Sequence, residues 1–198
     1  MTSTSTDPIL VLTKSTIRPY RPSDAPAIPP EADNVNIARH MPETFPSPYT
    51  LEAASAWIRI ATTPQPVPGP GPRLTHFAVC CGAGPRDTVC GGIGLKPLGN
   101  GLLAHTMELG YWLGEAHWGG GVMTEAVAAF ARWAFAAVPG LRRLEAVVFE
   151  GNGASAAVLE RAGFVLEGRR RRAGCKAGRV FDLLMYGLLR EEISTTSY

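Results

Sequence analysis

Charge is scarce in this sequence. Only 18% of its 198 residues are Asp, Glu, Lys or Arg, and the formal net charge is +2. A domain that binds nucleic acid through phosphate contacts is ordinarily more basic, so nucleic acid is not an expected partner. Cysteine is scarce as well. Cys80, Cys81, Cys90 and Cys175 form no C-x-x-C pair, and the first two are adjacent in an apolar run. That spacing fits neither a zinc site nor a secreted disulfide framework, so four reduced thiols in a cytoplasmic protein are expected. His40, His76, His105 and His117 show neither H-x-x-x-H nor H-E-x-x-H spacing, and no metal site is expected. There is no G-x-S-x-G, which removes the usual serine-hydrolase signal. Long apolar runs are missing too. Val127–Val138 is interrupted by Arg132 and is too short to span a bilayer. Met1–Asp7 is Thr/Ser-rich without a basic region, so neither a signal peptide nor a membrane partner is expected.

What is present is a chain that is 45% hydrophobic, punctuated by 22 Gly and 17 Pro. A chain of this length suits one domain and buries about 70% of its unfolded surface. Residues 1–14 read as a flexible arm. Ser15–Tyr20 reads as a strand. Ser23-Asp24 signals a helix start, but Pro26, Pro29 and Pro30 interrupt that helix. Asn34–Met41 is helical, Pro42–Tyr49 is a loop, and Thr50-Leu51-Glu52 opens a helix containing Trp57, Ile58 and Ile60. Residues 62–73 form a Pro/Gly-rich loop. Strands are predicted at Thr75–Cys81, Val89–Leu98 and His105–Gly114. The longest helix runs from Gly121 to Pro139-Gly140, with an apolar stripe of Val122, Ala126, Ala129, Trp133 and Ala137. A strand at Arg143–Phe149, a helix at Asn152–Ala162 closed by Gly163, and strands at Val165–Arg171 and Val180–Leu188 complete the pattern. Residues 193–198 are a tail. The strand–helix–strand step over residues 105–149 predicts a parallel pair, and the other connections can be hairpins. A mixed sheet covered by helices is expected.

Four segments could carry chemistry. Trp118-Gly119-Gly120-Gly121-Val122-Met123-Thr124-Glu125 places three glycines between a strand and the longest helix. Glycines there let backbone N–H groups approach an anion, and the helix N-terminus adds its partial positive charge. The plain alternative is a flexible turn capped by Thr124. Glu108, in the preceding strand, shares a face with Trp112, opposite Met107 and Leu109. A carboxylate there can act as a general base, or simply be solvated. Gly151-Asn152-Gly153-Ala154-Ser155-Ala156 matches G-x-G-x-x-A after a strand and before a helix. That is a dinucleotide fingerprint of an NADP-linked oxidoreductase, or Asn152 simply caps the helix. Finally Arg169-Arg170-Arg171-Arg172, with Lys176 and Arg179, forms a basic hairpin. It is either solvated or contacts a phosphate or an acidic substrate.

Three of these stretches occur in order at consistent spacing: Glu108-Leu109-Gly110-Tyr111-Trp112-Leu113, then Trp118 to Ala126, then Asn152-Gly153-Ala154-Ser155 through Gly163-Phe164. Together with Ile17-Arg18-Pro19-Tyr20-Arg21-Pro22-Ser23-Asp24-Ala25 and Tyr49-Thr50-Leu51-Glu52, they resemble the GNAT N-acetyltransferase superfamily, in its RimJ/RimL-type branch. The resemblance covers about residues 15–192. It implies an α/β (α+β) fold in a single domain, with a mixed sheet of about six to seven strands splayed between two parallel strands and flanked by helices. It implies acetyl-CoA as cosubstrate, held by Leu109, Tyr111, Trp112, Trp118, Gly119, Gly120, Gly121, Val122, Met123, Thr124, Asn152 and Ser155. Backbone amides from Gly119 to Thr124 would hold the pyrophosphate, and Asn152 would orient the pantetheine.

The resemblance also implies direct attack of an amine on the thioester in a ternary complex. The amine arrives protonated, with a pKa of about 8 for an α-amine and about 10.4 for lysine. Glu108 is the candidate base. A strand amide in the 109–112 region would polarise the carbonyl. Leu159 stands where many members carry a tyrosine, and Ser155, which matches the serine of the branch's N-x-x-S turn, is the candidate acid. Trp118 replaces the usual Gln/Arg. Met123 replaces a small residue and is expected to crowd the first helical turn. Met123, the broken first helix and the missing tyrosine motivate a second reading, a degenerate module that binds acyl-CoA without turnover. The implied acceptor is a small-molecule amine or a protein N-terminus, and the implied assembly is a monomer or homodimer.

Overall fold

The computed structural model describes residues 7–81, 88–99 and 101–193. Strands β1 (Leu10–Val11) and β2 (Thr16–Pro19) come first. A 3-10 turn (Pro22–Ala27) and helices α1 (Ile28–Ala32), α2 (Val35–Ala38) and α3 (Leu51–Ala61) follow. Next are β3 (His76–Cys81), β4 (Thr88–Pro97), β5 (Thr106–Leu113), a 3-10 turn (Glu115–His117) and α4 (Val122–Ala137). The chain then continues through β6 (Arg143–Phe149), α5 (Gly153–Arg161), β7 (Val165–Lys176), β8 (Arg179–Leu189) and α6 (Arg190–Ile193). The sheet has eight strands in the order β1-β2-β3-β4-β5-β6-β8-β7. The expected parallel pair is β5 with β6, joined through α4. Its register runs Thr106↔Arg143, Met107↔Leu144 and Glu108↔Glu145, the first three residues of each strand. β6 and β7 each pair antiparallel with β8.

The prolines act where the sequence places them. Pro26 sits inside the 3-10 turn and Pro29 in the first turn of α1, so the first helix stays short. The later helices are capped conventionally. Thr50 Oγ1 accepts from the Ala53 N–H at 3.2 Å, and Asn34 Oδ1 accepts from the Asn36 N–H at 2.8 Å.

The chain divides into two compact units. The first comprises Met1–Gln65, Arg73–Gly94 and Tyr111–Ala126. Its core holds Tyr20, Ile28, Tyr49, Ile58, Ala78 and Val89, with Trp57 and Trp112 packed partly against it. Arg18 is 1% exposed there. Its two terminal nitrogens donate to the two carboxylate oxygens of Asp24, each at 2.8 Å, and Asp24 also accepts from the Arg21 N–H at 2.7 Å. The second unit comprises Pro66–Pro72, Leu95–Gly110 and Val127–Tyr198. Val127, Phe130, Ala134, Leu141, Leu144 and Leu159 are buried in it. Arg190 closes α4 by donating to the carbonyls of Val138 at 2.9 Å and Leu141 at 2.8 Å, and lies 5.6 Å from the Phe135 ring centroid.

Several expectations are corrected. The arm expected over residues 1–14 is ordered from β1 onward. Ile9 N–H donates to the Ile17 carbonyl at 2.9 Å and Leu12 N–H to Ser15 at 2.8 Å, closing a hairpin; residues 1–6 lie outside the described residues. Two-residue β1 is too short for a hydrophobic alternation, and it raises the expected six to seven strands to eight. The stripe of α4 is also shifted. Met123, Ala126, Val127, Phe130, Ala131, Ala134 and Phe135 are buried, whereas Val122, Ala129, Trp133 and Ala137 are only partly so. A helix apolar on most sides lets periodicity choose the wrong face. Cys81 and Cys90 form a disulfide rather than two free thiols, because the β3–β4 hairpin brings their Cα atoms to 5.8 Å. The tail expected over 193–198 lies outside the described residues apart from Ile193, the last residue of α6. No helix among the described residues is long and apolar enough to cross a membrane.

The buried Arg18–Asp24 pair generates a stability test. Replacing Asp24 with Asn leaves the guanidinium buried without its counter-charge, which costs about 3 kcal/mol or more. The urea unfolding midpoint of Asp24→Asn should fall accordingly at unchanged slope; an unchanged midpoint would contradict the pairing.

Candidate active site

The glycine turn is built in the first unit. Gly119 and Gly121 both have φ of +75°, a left-handed backbone that disfavours any side chain with a Cβ. The Gly121 carbonyl accepts the first helical hydrogen bond, from Glu125 N–H at 3.1 Å. Gly121 therefore caps α4, and Thr124 is its third residue rather than its cap. The turn is pinned from both sides. Trp118 Nε1 donates to the Leu113 carbonyl at 2.8 Å, and Gly114 N–H donates to Cys90 at 2.8 Å. Asn34 and Asn36 donate through their side chains to the Glu115 carboxylate, which holds its carboxyl below the usual range. Lys14 Nζ donates to the Gly120 carbonyl at 2.7 Å. The Glu125 carboxylate accepts from the backbone N–H groups of Thr13 and Lys14 at 3.1 and 2.9 Å.

Met123 is 5% exposed, with its side chain in the interior, so the crowding expected of it goes into the core rather than into the turn. Val122 and Thr124 are half-buried. An ammonium, a helix N-terminus and glycine amides thus occupy one short stretch, the donor set of an anion site. Lys14 is the contributor that sequence reasoning missed. A lone lysine in an apparent arm carries no local signal of a contact 106 residues away.

Along β5, Leu109 and Leu113 are buried, while Tyr111 and Trp112 are half-buried. Trp112 lies against β4 at Gly92, where an added Cβ would come within 2.6 Å of the indole Nε1 and 2.5 Å of the Tyr20 hydroxyl. Glu108 belongs to the second unit and stands in register with Glu145. The two carboxylates have separate partners. Arg143 Nε donates to Glu145 at 2.9 Å and its terminal nitrogens donate to Glu167, which keeps the Glu167 carboxyl below its ordinary range. Glu108 has Lys96 Nζ at 3.8 Å, and that lysine is 72% exposed. A solvent-screened pair of this kind holds little energy.

In the same unit Asn152 caps α5. Its Oδ1 accepts from the Ser155 N–H at 3.2 Å, which positions Ser155 in the first turn. Both are half-buried. The 151–156 match to a dinucleotide fingerprint is thus, in the structure, an Asn-capped helix of nine residues. The basic hairpin is exposed along nearly all of β7. Arg169 donates to Glu150 at 2.7 Å and Asp182 at 3.1 Å, and the Arg172 N–H donates to Asp182 at 2.8 Å. The solvated-hairpin alternative accounts for Arg169 and Arg172. One grouping has no counterpart in the histidine spacing. Cys81, Cys90 and His117 bring donor atoms within 4.8 Å of one another, a cluster assembled across three segments that no short-range pattern encodes.

The left-handed turn generates a paired test. Gly121→Ala should destabilise the protein by about 1–2 kcal/mol through its positive φ. Gly120→Ala, whose Cβ would meet its nearest neighbour at 4.0 Å, should stay within about 0.5 kcal/mol of the parent. Equal losses in denaturant titration would contradict the turn geometry.

Comparison with known proteins meets this geometry at the level of the family. The family model described as an acetyltransferase (GNAT) domain matches residues 14–165. A Bacillus subtilis relative, named Probable N-acetyltransferase YjcK, is 39% identical over 97 residues, 49% of this chain and 51% of that protein. The chain thus spans about half the length of the curated relatives it matches. Two solved structures share the fold. Mycobacterium smegmatis RimJ, solved in complex with CoA-disulfide, superposes with a TM-score of 0.73 at 23% identity, over 92% of this chain and 85% of that one. The Vibrio fischeri ribosomal-protein-S5-alanine acetyltransferase superposes with a TM-score of 0.71 at 21% identity, over 92% and 96%. With the family model covering most of its length, from Lys14 at the glycine turn to Val165 after α5, this chain belongs to the GNAT acetyltransferase domain family.

Proposed function

We propose that the protein transfers an acetyl group from acetyl-CoA to a primary amine. The observation that carries this reading is the turn into α4, where two left-handed glycines, a helix N-terminus and the Lys14 ammonium offer donors to one anion. In this reading the amides of Gly119 to Thr124 hold the pyrophosphate, and Lys14 adds a charge-assisted contact. Trp118, with its indole N–H committed to Leu113, offers its ring face rather than a donor. Leu109, Tyr111 and Trp112 line the path of the pantetheine and Asn152 orients it. Val122 and Met123 complete the first turn from within.

Glu108 takes a proton from the incoming ammonium, directly or through water. The free amine attacks the thioester carbonyl carbon. A β5 amide in the 109–112 region stabilises the oxyanion, and the carbon–sulfur bond breaks. Ser155 positions the departing sulfur or protonates it. The acceptor is an amine of a protein N-terminus or a small molecule. The ribosomal-protein substrate in the name of the Vibrio fischeri neighbour supports the first. Exposed Arg170 and Arg171 would bias selection towards an acidic acceptor. The protein would act in the cytoplasm as a monomer or homodimer. With the family shown, the NADP-linked alternative is set aside.

The test combines binding with turnover. Acetyl-CoA and CoA at 100-fold their Kd should each stabilise the protein by about 2.7 kcal/mol in a thermal-shift titration, and NADPH should not. Glu108→Gln should keep that shift while turnover of any active amine falls by about 10²-fold or more. Unchanged turnover removes Glu108 as base. Binding without turnover in the parent chain selects the degenerate module, for which Leu159, fully buried at the usual tyrosine position, is one of the motives.

A further inference from the structure

The acetyl-transfer reading uses neither Cys81, Cys90, His117 nor Glu31. Cys81 ends β3, Cys90 lies in β4, and His117 closes the 3-10 turn after β5; all belong to the first unit. Both cysteines are buried, and His117 is half-buried. The two sulfurs and one ring nitrogen lie within 4.8 Å of one another. A disulfide alone needs only the two sulfurs. The third donor beside it is what a metal site adds.

We propose that reduction of the Cys81–Cys90 disulfide opens a Cys2His site for a thiophilic divalent cation, zinc above all. The disulfide and the metal are then alternative ties across the same hairpin. Two thiolates and an imidazole form a donor set that zinc accepts in tetrahedral geometry, with water in the fourth position. Donors on one zinc sit about 2.0–2.3 Å from the ion and so within about 4 Å of each other; the histidine nitrogen already lies within 4.8 Å of both sulfurs, and reduction frees the bonded sulfurs to separate to that distance. The Glu31 carboxylate is 3.4 Å from His117 Nε2. It acts as a positioning residue, accepting from Nε2–H and leaving Nδ1 as the ligand, as the outer partner of a zinc-bound histidine does.

The steps balance. A dithiol reductant gives up two electrons and two protons to the disulfide, forming its own disulfide and two protein thiols. Binding of the divalent cation then displaces two protons as the thiols become thiolates. Exchange with a small-molecule disulfide reverses this: that disulfide accepts the two electrons and leaves as two thiols, the Cys81–Cys90 bond re-forms and the ion is released.

The experiment uses the full chain, reduced with a dithiol and desalted anaerobically. It is titrated with Zn²⁺ against a chromophoric chelator and, separately, with Co²⁺. The expected result is one ion per chain, two protons released, and a sulfur-to-cobalt charge-transfer band, with none of these in the oxidised protein. Cys81→Ser and Cys90→Ser should abolish the band. Because those positions are buried and a variant could fail to fold, half-buried His117→Ala provides the independent reading. It should weaken zinc binding about tenfold or more, with an unchanged circular dichroism spectrum. Glu31→Gln should weaken binding with the stoichiometry and the band retained. A reduced parent chain that binds no zinc, or a His117→Ala variant with parental affinity, overturns the proposal. Either result leaves the acetyl-transfer reading where it stands, since the readout is metal binding and not turnover.

Discussion

The start of α4 is the constraint around which the candidate site is arranged. An α-helix that follows a strand closely must present unpaired N–H groups at its first turn, and something has to accept from them. Here the chain reaches that turn through two left-handed glycines, and the Glu125 side chain, which could have folded back on its own helix, instead accepts from Thr13 and Lys14 N–H groups. In the proposed function the first-turn amides serve the ligand. The same contact delivers the Lys14 ammonium to Gly120 and gives the β1–β2 hairpin a reason to be ordered. Asn34 plays a comparable double part. Its Oδ1 caps α2 while its Nδ2 donates to Glu115 before the turn.

The low charge density has a structural counterpart. Many of the charged side chains are committed to specific partners. Arg18 is locked to Asp24, Arg143 to Glu145 and Glu167, and Arg169 to Glu150 and Asp182. Glu108 is held differently. Its lysine partner is distant and solvated, and its in-register neighbour Glu145 is neutralised by Arg143. In a molecule that pairs its charges this closely, Glu108 is a loosely held carboxylate on the parallel strand, and the proposed proton transfer rests on that.

Much of the fold was legible because its signals are local. Asn152 and Thr50 announce their helices, and Pro26 and Pro29 fragment the first one. The strand–helix–strand spacing required the parallel β5–β6 pair. The glycine turn and the Asn152–Ser155 cap were readable in the same way, as motifs of a few residues. What was not legible depends on residues far apart in sequence. Lys14 reaches Gly120 over 106 residues, Asn34 reaches Glu115 over 81, and His117 meets a disulfide that itself spans a hairpin. The buried face of α4 escaped for another reason. Ala and Val occupy most sides of it, so the hydrophobic period has no sharp phase, and only packing selects Met123 and Phe130 over Val122 and Trp133.

The central claim is that the amides at the start of α4 bind the anionic part of the cofactor. Amide hydrogen exchange with and without saturating CoA tests it most directly. The account predicts that exchange slows at residues 119–124 and at the α5 cap around Asn152 and Ser155, with little change along the exposed β7 strand. Bound CoA that leaves the 119–124 amides exchanging at their free rate, or that protects β7 instead, would contradict it.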